Sequence, residues 1–317
     1  MVKNKTSGLR QSKSVSPSIF GFRIQASRAL KFLRTGGSAD VLDIRATTDT
    51  GRPPPGRPVL AWKLEGSNRD VRAELYATGA TFKYWISDAG WYDIDPLQKF
   101  IGVPEDADAI VCEQRLWGMP ALLCAMQRND FFLHAAAVEI DNAAVLFAAP
   151  GRHGKTTLAM AFHREGFRVL SEDSACCRVV PFPVLLPGPA LLRVRPDVYE
   201  GRPPDGTHVV SVYDDRIYLG IDANRQGTDD PVSVKAIVFL RESVENIHME
   251  RVPAPKSLPD LWALTFRLPN DEARARSFLE LAALVGHVPV WNLYRPLRLE
   301  SLSNTVSEIL KVLSQKS

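Results

Sequence analysis

The sequence predicts an α/β chain, α+β overall, in which a smaller β-rich N-terminal domain precedes an α/β domain built around a phosphate-binding loop (P-loop). Three observations predict it. Short apolar and aromatic runs between Val59 and Ile94 are separated by Gly, Asp, Asn and Ser at hairpin-like intervals. An apolar run ending at Ala149 leads through Pro150-Gly151-Arg152-His153-Gly154 into Lys155-Thr156-Thr157 and a helix-like run. A further strand-like run, Phe167–Ser171, follows that helix and completes a β-α-β pattern. The expected division is a tail over residues 1–18, a β-rich domain over 19–127 and the loop-bearing domain over 128–317.

Length and composition agree with this. A chain of 317 residues has room for two modest domains with buried cores, and 45% apolar with 24% charged residues excludes wholesale disorder. Against 39 Lys and Arg stand 36 Asp and Glu, a net charge of +3, too balanced to imply a nucleic-acid-binding surface. The four cysteines, Cys112, Cys124, Cys176 and Cys177, form no C-x-x-C pair, and adjacent cysteines rarely bridge each other. Reduced, buried thiols are expected, and with them a reducing compartment. No run approaches the ~18 apolar residues of a membrane span. The opening MVKNKTSGLRQSKSVSPS is basic and Ser-rich without the apolar core of a secretory signal, so a disordered tail on a cytoplasmic protein is expected.

The elements follow in order. Ile19–Arg28 alternates in part and reads as a strand, as does Val41–Thr47. Thr48–Pro58 (TDTGRPPPGRP) has the composition of a stiff surface loop. VLAWKL, VRAELYA, TFKYWI and WYDI read as an antiparallel sheet, and Leu116–Gln127 as a buried helix. His134–Ile140 and Ala143–Ala149 are strand-like runs joined by Asp141-Asn142, residues that tolerate positive φ in a two-residue hairpin turn. If the hairpin closes there, Ile140 pairs with Ala143, and His134 arrives opposite Ala149. Leu158, Ala161 and Phe162 then give one apolar face to a helix that ends before Gly166. Asp214-Asp215 reads as a hairpin turn, and Glu272–Leu284 as a helix packed in the core.

The chemistry concentrates at the loop. Backbone N–H groups of Gly151, Arg152, His153, Gly154, Lys155, Thr156 and Thr157, with the positive helix N-terminus, suit a polyphosphate. Lys155 would neutralise its β- and γ-phosphates, and the Thr156 hydroxyl would ligate Mg²⁺. One position departs from G-x-x-x-x-G-K-[ST]: Ala149 stands at the first glycine. Parallel strands of a β-α-β unit finish at one sheet edge, so Glu172 and Asp173 should arrive beside the loop, and His134 at the same edge. Two adjacent carboxylates allow one to hold metal and the other to accept a proton from an attacking hydroxyl, with His134 tuning that base. Alternation puts Arg193 and Arg195 on one strand face, where they could meet phosphate or an acidic substrate, or solvent.

The segment LHAAAVEIDNAAVLFAAPGRHGKTTLAMAFHREGF with its closing VLSED resembles the C-terminal domain of HPr kinase/phosphorylase and the wider HPr-kinase-like group. That group shows a His before the loop strand, Gly-Lys-[Ser/Thr], a short helix ending in Gly and an acidic pair closing the next strand. The runs VLLPGPALLRVRPDVYE, VKAIVFLRE and FLELAALVGHVPVWNLYRPLRLESL are similar too. The resemblance implies an ATP- and Mg²⁺-dependent kinase. Some members lie beside genes for ribosomally made peptides, lasso peptides among them, and phosphorylate a serine of the precursor. The implied partner is therefore a peptide or small-protein phosphoacceptor, with neither nucleic acid nor membrane, and with room for a homo-oligomer. The resemblance places Glu172 at the base and Asp173 with Thr156 on the metal. Glu172 departs from the usual aspartate, and Ala149 and Arg152 from small or glycine positions. The signature region of the bifunctional sugar-regulating enzyme is missing, which argues against HPr as substrate. Two other functions share these motifs: a nucleotide-binding regulatory or assembly module without transfer, and a small-molecule kinase acting on serine or a sugar.

Overall fold

The computed structural model describes residues 16–47, 53–64, 69–199 and 201–314. Most of the predicted tail lies outside the described residues, as do residues 48–52 of the Pro-rich loop; Pro53–Pro58 carries no helix or strand. The predicted tail boundary at residue 18 is corrected, because the first strand starts at Ser16.

The first sheet is built from β1 (Ser16–Ile19), β2 (Phe22–Ala26), β3 (Arg34–Gly36), β4 (Val41–Thr47), β5 (Leu60–Lys63), β6 (Arg72–Thr78), β7 (Thr81–Ile86), β8 (Gly90–Asp95) and β9 (Phe100–Pro104). Their order is β3-β1-β2-β4-β9-β8-β7-β6-β5. Strands β5 to β8 form the expected antiparallel meander. The single strand expected over 19–28 is instead a hairpin whose turn is Phe20-Gly21, both at positive φ (52° and 69°). Phenylalanine is a poor turn residue. Here its ring is fully buried and meets Phe132 edge-on at 5.2 Å, so tertiary packing outweighs the local preference.

The helix expected over 116–127 is α2 (Met119–Met126), and a separate helix that the sequence reading did not anticipate, α1 (Ala109–Leu116), precedes it. Asp108 caps α1 by accepting from the backbone N–H groups of Ile110 and Val111, both at 3.0 Å. Pro120 in the first turn of α2 has no N–H to continue a helix from α1, and the chain breaks at Trp117-Gly118.

The second sheet contains β10 (Phe131–Leu133), β11 (Ala135–Ile140) and β12 (Ala143–Ala148). Then come α3 (Lys155–Arg164), β13 (Val169–Ser171), β14 (Ala175–Arg178) and β15 (Val184–Leu186). A separate three-stranded sheet follows: β16 (Leu191–Val194), the short helix α4 (Pro196–Tyr199), β17 (Thr207–Tyr213) and β18 (Arg216–Ile221), in the order β16-β18-β17. The chain closes with α5 (Ala223–Gln226), β19 (Val232–Glu242), β20 (His248–Val252), α6 (Ala254–Ala263), α7 (Asp271–His287), β21 (Val290–Arg295) and α8 (Leu302–Ser314). The second sheet runs β10-β14-β15-β19-β12-β11-β13, with β21 beside β19 and β20 beside β21.

Parallel strands β12, β19 and β21 form its centre, and the runs AAVLFA of β12 and AIVFL of β19 are continuously apolar because both faces are covered. Val145, Phe147, Ala236 and Val238 point to α3 and α8; Leu146, Ala148, Ile237 and Phe239 point to α6 and α7. Helix α7 buries Leu281, Leu284 and Val285 but leaves Phe278 and Leu279 exposed, so only one face of that predicted core helix is core. The chain is a mixed α/β protein. The buried cluster under the first sheet also takes in Phe132, Cys176, Val184 and Leu186, so the two sheets share a core. All four cysteines are free and buried. Among the described residues no helix is long and apolar enough to cross a membrane.

The β11–β12 hairpin has the register expected, from Ile140↔Ala143 to Ala135↔Ala148, with Asp141 and Asn142 at φ 54° and 59°. Strand β13 is shorter than expected and does not pair with β12. It lies antiparallel to β11 at the sheet margin, because the tight hairpin already places β11 on that side of β12. The strand directions of β12 and β13 still agree, so both end at the same edge.

Candidate functional site

The loop at 149–154 leaves β12 at that edge and feeds α3. Gly154, at φ 76°, is the residue on which the turn depends: an added Cβ would lie 2.5 Å from Arg295 Nη2. Gly154→Ala is therefore expected to lower stability by about 1–2 kcal/mol, since left-handed backbone is unfavourable for a residue with Cβ and the guanidinium must also move. Thermal denaturation checks this; an unchanged midpoint would show the position to be unstrained. Arg152 also sits at positive φ, 66°, where the resemblance expects a small or glycine residue.

Lys155 is almost wholly buried and turned back over its own loop. Its Nζ donates to Ala149 O (2.8 Å) and Pro150 O (3.0 Å) and meets His134 Nε2 at 2.9 Å. An ammonium only donates, so Nε2 of His134 is the acceptor and the proton of the neutral ring sits on Nδ1. Nδ1 faces Asp173 Oδ1 at 3.4 Å. Burial lowers the His134 pKa, with the Lys155 and Arg193 charges adding to it and Asp173 opposing, which keeps the ring neutral. His134 reaches this place because the chain breaks between β10 and β11. Its backbone N–H donates to Leu264 O (2.8 Å) rather than to a neighbouring strand.

Glu172 and Asp173 follow the last residue of β13. Ser171 Oγ donates to Ser174 O (2.7 Å) and the chain turns, so strand alternation does not separate the two carboxylates. Thr156 Oγ1 donates to Glu172 Oε1 (2.5 Å). Arg193 spans both carboxylates, with Nε on Glu172 Oε2 (2.8 Å) and Nη2 on Asp173 Oδ2 (3.1 Å). Asp173 also lies 3.8 Å from Lys155 Nζ. Burial works to raise the Asp173 pKa, but Arg193, His134 and Lys155 together hold it down to about 2.

All these side chains line one cavity of about 810 Å³ with Gly151, Arg152, Gly154 and Thr157. His153 does not line it: its ring Nδ1 meets Gly151 O at 2.8 Å, while its carbonyl accepts from Arg295. Arg195 lies at the rim, half-buried, 3.7 Å from Asp215 and 3.9 Å from Asp197. Asp214-Asp215 is the β17–β18 turn, as expected, and also lines the cavity.

Three contributors were not singled out from sequence. Arg295, at the end of β21, is 2% exposed; its Nη2 donates to His153 O (3.0 Å), and its Nε has no partner. Burial lowers its pKa, and it is a cation held against the 149–154 loop. The signal was available: an arginine closing a largely apolar and aromatic strand, VWNLYR. Gln114 of α1 is the second. In the amide orientation that satisfies its neighbours, its oxygen accepts from Arg193 Nη1 at 2.7 Å. The third is Arg34, fully buried, which donates to Gly188 O (2.7 Å) and Val169 O (2.8 Å) and so ties β3 to the strand carrying the carboxylates.

Fold and site define a mixed α/β protein whose candidate site gathers a Gly-Lys-Thr loop, two carboxylates, a histidine and an arginine in one cavity. No family model matches the chain, and no curated protein matches it. Among solved structures, the HPr(Ser) kinase/phosphatase from Coxiella burnetii is similar at 12% identity and a TM-score of 0.30, covering 59% of this chain and 99% of that one. The likeness is weak.

Proposed function

We propose that the chain is a Mg²⁺- and ATP-dependent phosphotransferase that moves the γ-phosphoryl group to a hydroxyl, a serine of a peptide or small protein. The observation that carries this reading is the meeting of Lys155 and Thr156 with Glu172, Asp173 and His134 around one cavity. A cradle for phosphate and a base for a hydroxyl are the two parts that such a transfer needs.

The residues fit a magnesium ion by their donor chemistry. Thr156 Oγ1 and Glu172 supply hard oxygens side by side. Among the described residues no cluster of three or more His, Cys, Asp or Glu forms a dedicated metal cage. Mg²⁺ typically takes one or two protein oxygens and completes its shell with water and substrate phosphates. When bound, it would neutralise charge on those phosphates.

This pairing favours a division of labour opposite to the one implied by the resemblance: Glu172 with Thr156 for the metal, and Asp173 as the base. Asp173 is backed by the Nδ1–H of His134, which orients it, and its low pKa keeps it ionised. In the transfer, the acceptor O–H bond breaks and its proton passes to Asp173. The acceptor oxygen bonds to the γ-phosphorus as the bond to the β–γ bridging oxygen breaks, leaving ADP. Lys155 leaves the Ala149 and Pro150 carbonyls to meet the phosphates, and Arg193 exchanges a carboxylate for the charge that develops.

The reading is tested by incubating the protein with γ-labelled ATP, Mg²⁺ and serine-containing peptides. Label on a peptide with matching ADP release is expected. Tight nucleotide binding with no transfer to any hydroxyl would favour a regulatory module, and label on free serine or a sugar alone would favour a small-molecule kinase.

A further inference from the structure

A second cavity, of about 230 Å³, adjoins the first and shares Glu172, Asp173, Arg193, Trp62, Leu64, Gln114 and Arg115 with it, yet no residue of the loop or of the start of α3 lines it. It lies on the side of the carboxylates away from the phosphate cradle. The walls it does not share come mostly from the first sheet and its helices, Tyr84, Trp117 and Met119, faced by Leu191. Trp62 and Tyr84 stack at 5.9 Å with 15° between their planes. The cations and the indole N–H nearby are already engaged. Trp117 Nε1 donates to Glu113 (3.2 Å), Arg115 is held by both oxygens of Asp88 (3.2 and 2.6 Å), and Arg193 spans the carboxylates. An occupant therefore meets flat apolar walls, no uncommitted cation, and a base at one end.

We propose that this cavity is an acceptor subsite. It takes a neutral, flat apolar side chain of the substrate peptide, placed next to the serine or threonine whose hydroxyl reaches Asp173. The inference rests on the phosphotransferase reading and adds to it a substrate class and a role for the N-terminal sheet. Size supports a side chain rather than a whole ligand. Pockets that enclose drug-sized molecules span roughly 300–1,000 Å³, and this one is below that range. The larger cavity continues past Asp173 toward Asp214 and Asp215, which leaves a path for the rest of the peptide.

The test uses the full chain with γ-labelled ATP, Mg²⁺ and a library of short peptides, each with one serine and a varied residue at the flanking positions. Trp, Phe or Tyr at one of these positions is expected to raise kcat/KM about ten-fold or more over Ala, the scale of filling or emptying an apolar pocket. Trp62→Ala and Met119→Asp should each remove most of that preference, and Met119→Asp, whose residue lines the second cavity and not the first, should lower transfer to an alanine-flanked peptide much less. Asp is well tolerated in the first turn of a helix, so Met119→Asp is compatible with α2. Aromatic residue and Trp62 should prove non-additive when both are removed, as groups in contact do. Equal transfer to aromatic- and alanine-flanked peptides, or a preference that survives both substitutions, overturns the subsite and leaves the phosphotransferase reading standing. Binding of Mg-ATP without transfer to any peptide overturns the peptide-kinase reading, and the subsite with it.

Discussion

Lys155→Met is expected to abolish phosphoryl transfer, by about 10³-fold or more, while shifting the melting temperature by only a few degrees. The rate effect follows from the lysine's place. It is the cation nearest the loop carbonyls and His134, and a preorganised donor aimed at developing charge is worth roughly 10²–10³ in rate on its own. The small stability effect follows from two opposed terms. Burial lowers the Lys155 pKa, so the charged form is disfavoured in the folded protein, and at every pH below the unfolded value of 10.5 that charge costs stability. Methionine removes this cost and preserves volume. Against it, the Ala149 and Pro150 carbonyls lose their donor, a penalty of about 1–3 kcal/mol for a buried group left unpaired. The stability of the parent should also rise as pH approaches 10.5 relative to Lys155→Met, because deprotonation relieves the buried charge only when the lysine is present. Transfer rates, nucleotide affinity and thermal denaturation measured together decide it. Undiminished transfer by a well-folded Lys155→Met would sink the phosphate-cradle assignment.

Much of the site's placement was legible because it depended on turn chemistry and strand direction. Asp141-Asn142 is a turn whose residues accept positive φ, and once it is fixed, counting outward carries His134 to the edge where the loop begins. Glu172 and Asp173 arrive there because β12 and β13 share a direction, even though β11 lies between them. What was not legible depended on packing between distant parts of the chain. Phe20 in a tight turn is explained only by the ring of Phe132 beneath it. The inward pose of Lys155 and the bridge from Arg193 to both carboxylates reflect what fills a cavity of mixed charge, which no local pattern encodes. The bend at Ser171–Ser174 overrode alternation and put both acids on one side. That bend also changes which acid is expected to do what.

Asp173→Asn is expected to lower the transfer rate by about 10²–10⁴, the usual worth of a general base, with Mg-ATP affinity little changed. Glu172→Gln is expected to weaken Mg²⁺-nucleotide binding and to raise the Mg²⁺ concentration needed for half-maximal rate. The geometry separates the two. Glu172 accepts a hydrogen bond from the Thr156 hydroxyl (2.5 Å), and that hydroxyl belongs to the residue that would share its metal. Asp173 instead faces the ring Nδ1 of His134 at 3.4 Å. The pH profile adds an independent readout. Arg193, His134 and Lys155 outweigh the burial that would raise the Asp173 pKa and hold it near 2, so the carboxylate contributes stability above its unfolded value of 3.8, and that contribution is lost only as pH falls toward 2. Its ionisation therefore stays constant across the neutral range. Asp173→Asn should depress the rate by a similar factor from about pH 5 to about pH 9, rather than shift the limbs of the profile. Titrating Mg²⁺ and nucleotide for both variants at several pH values gives the answer. A metal defect in Asp173→Asn with a pure rate defect in Glu172→Gln would restore the division implied by the resemblance, and unchanged transfer in both would end the mechanism proposed for this site.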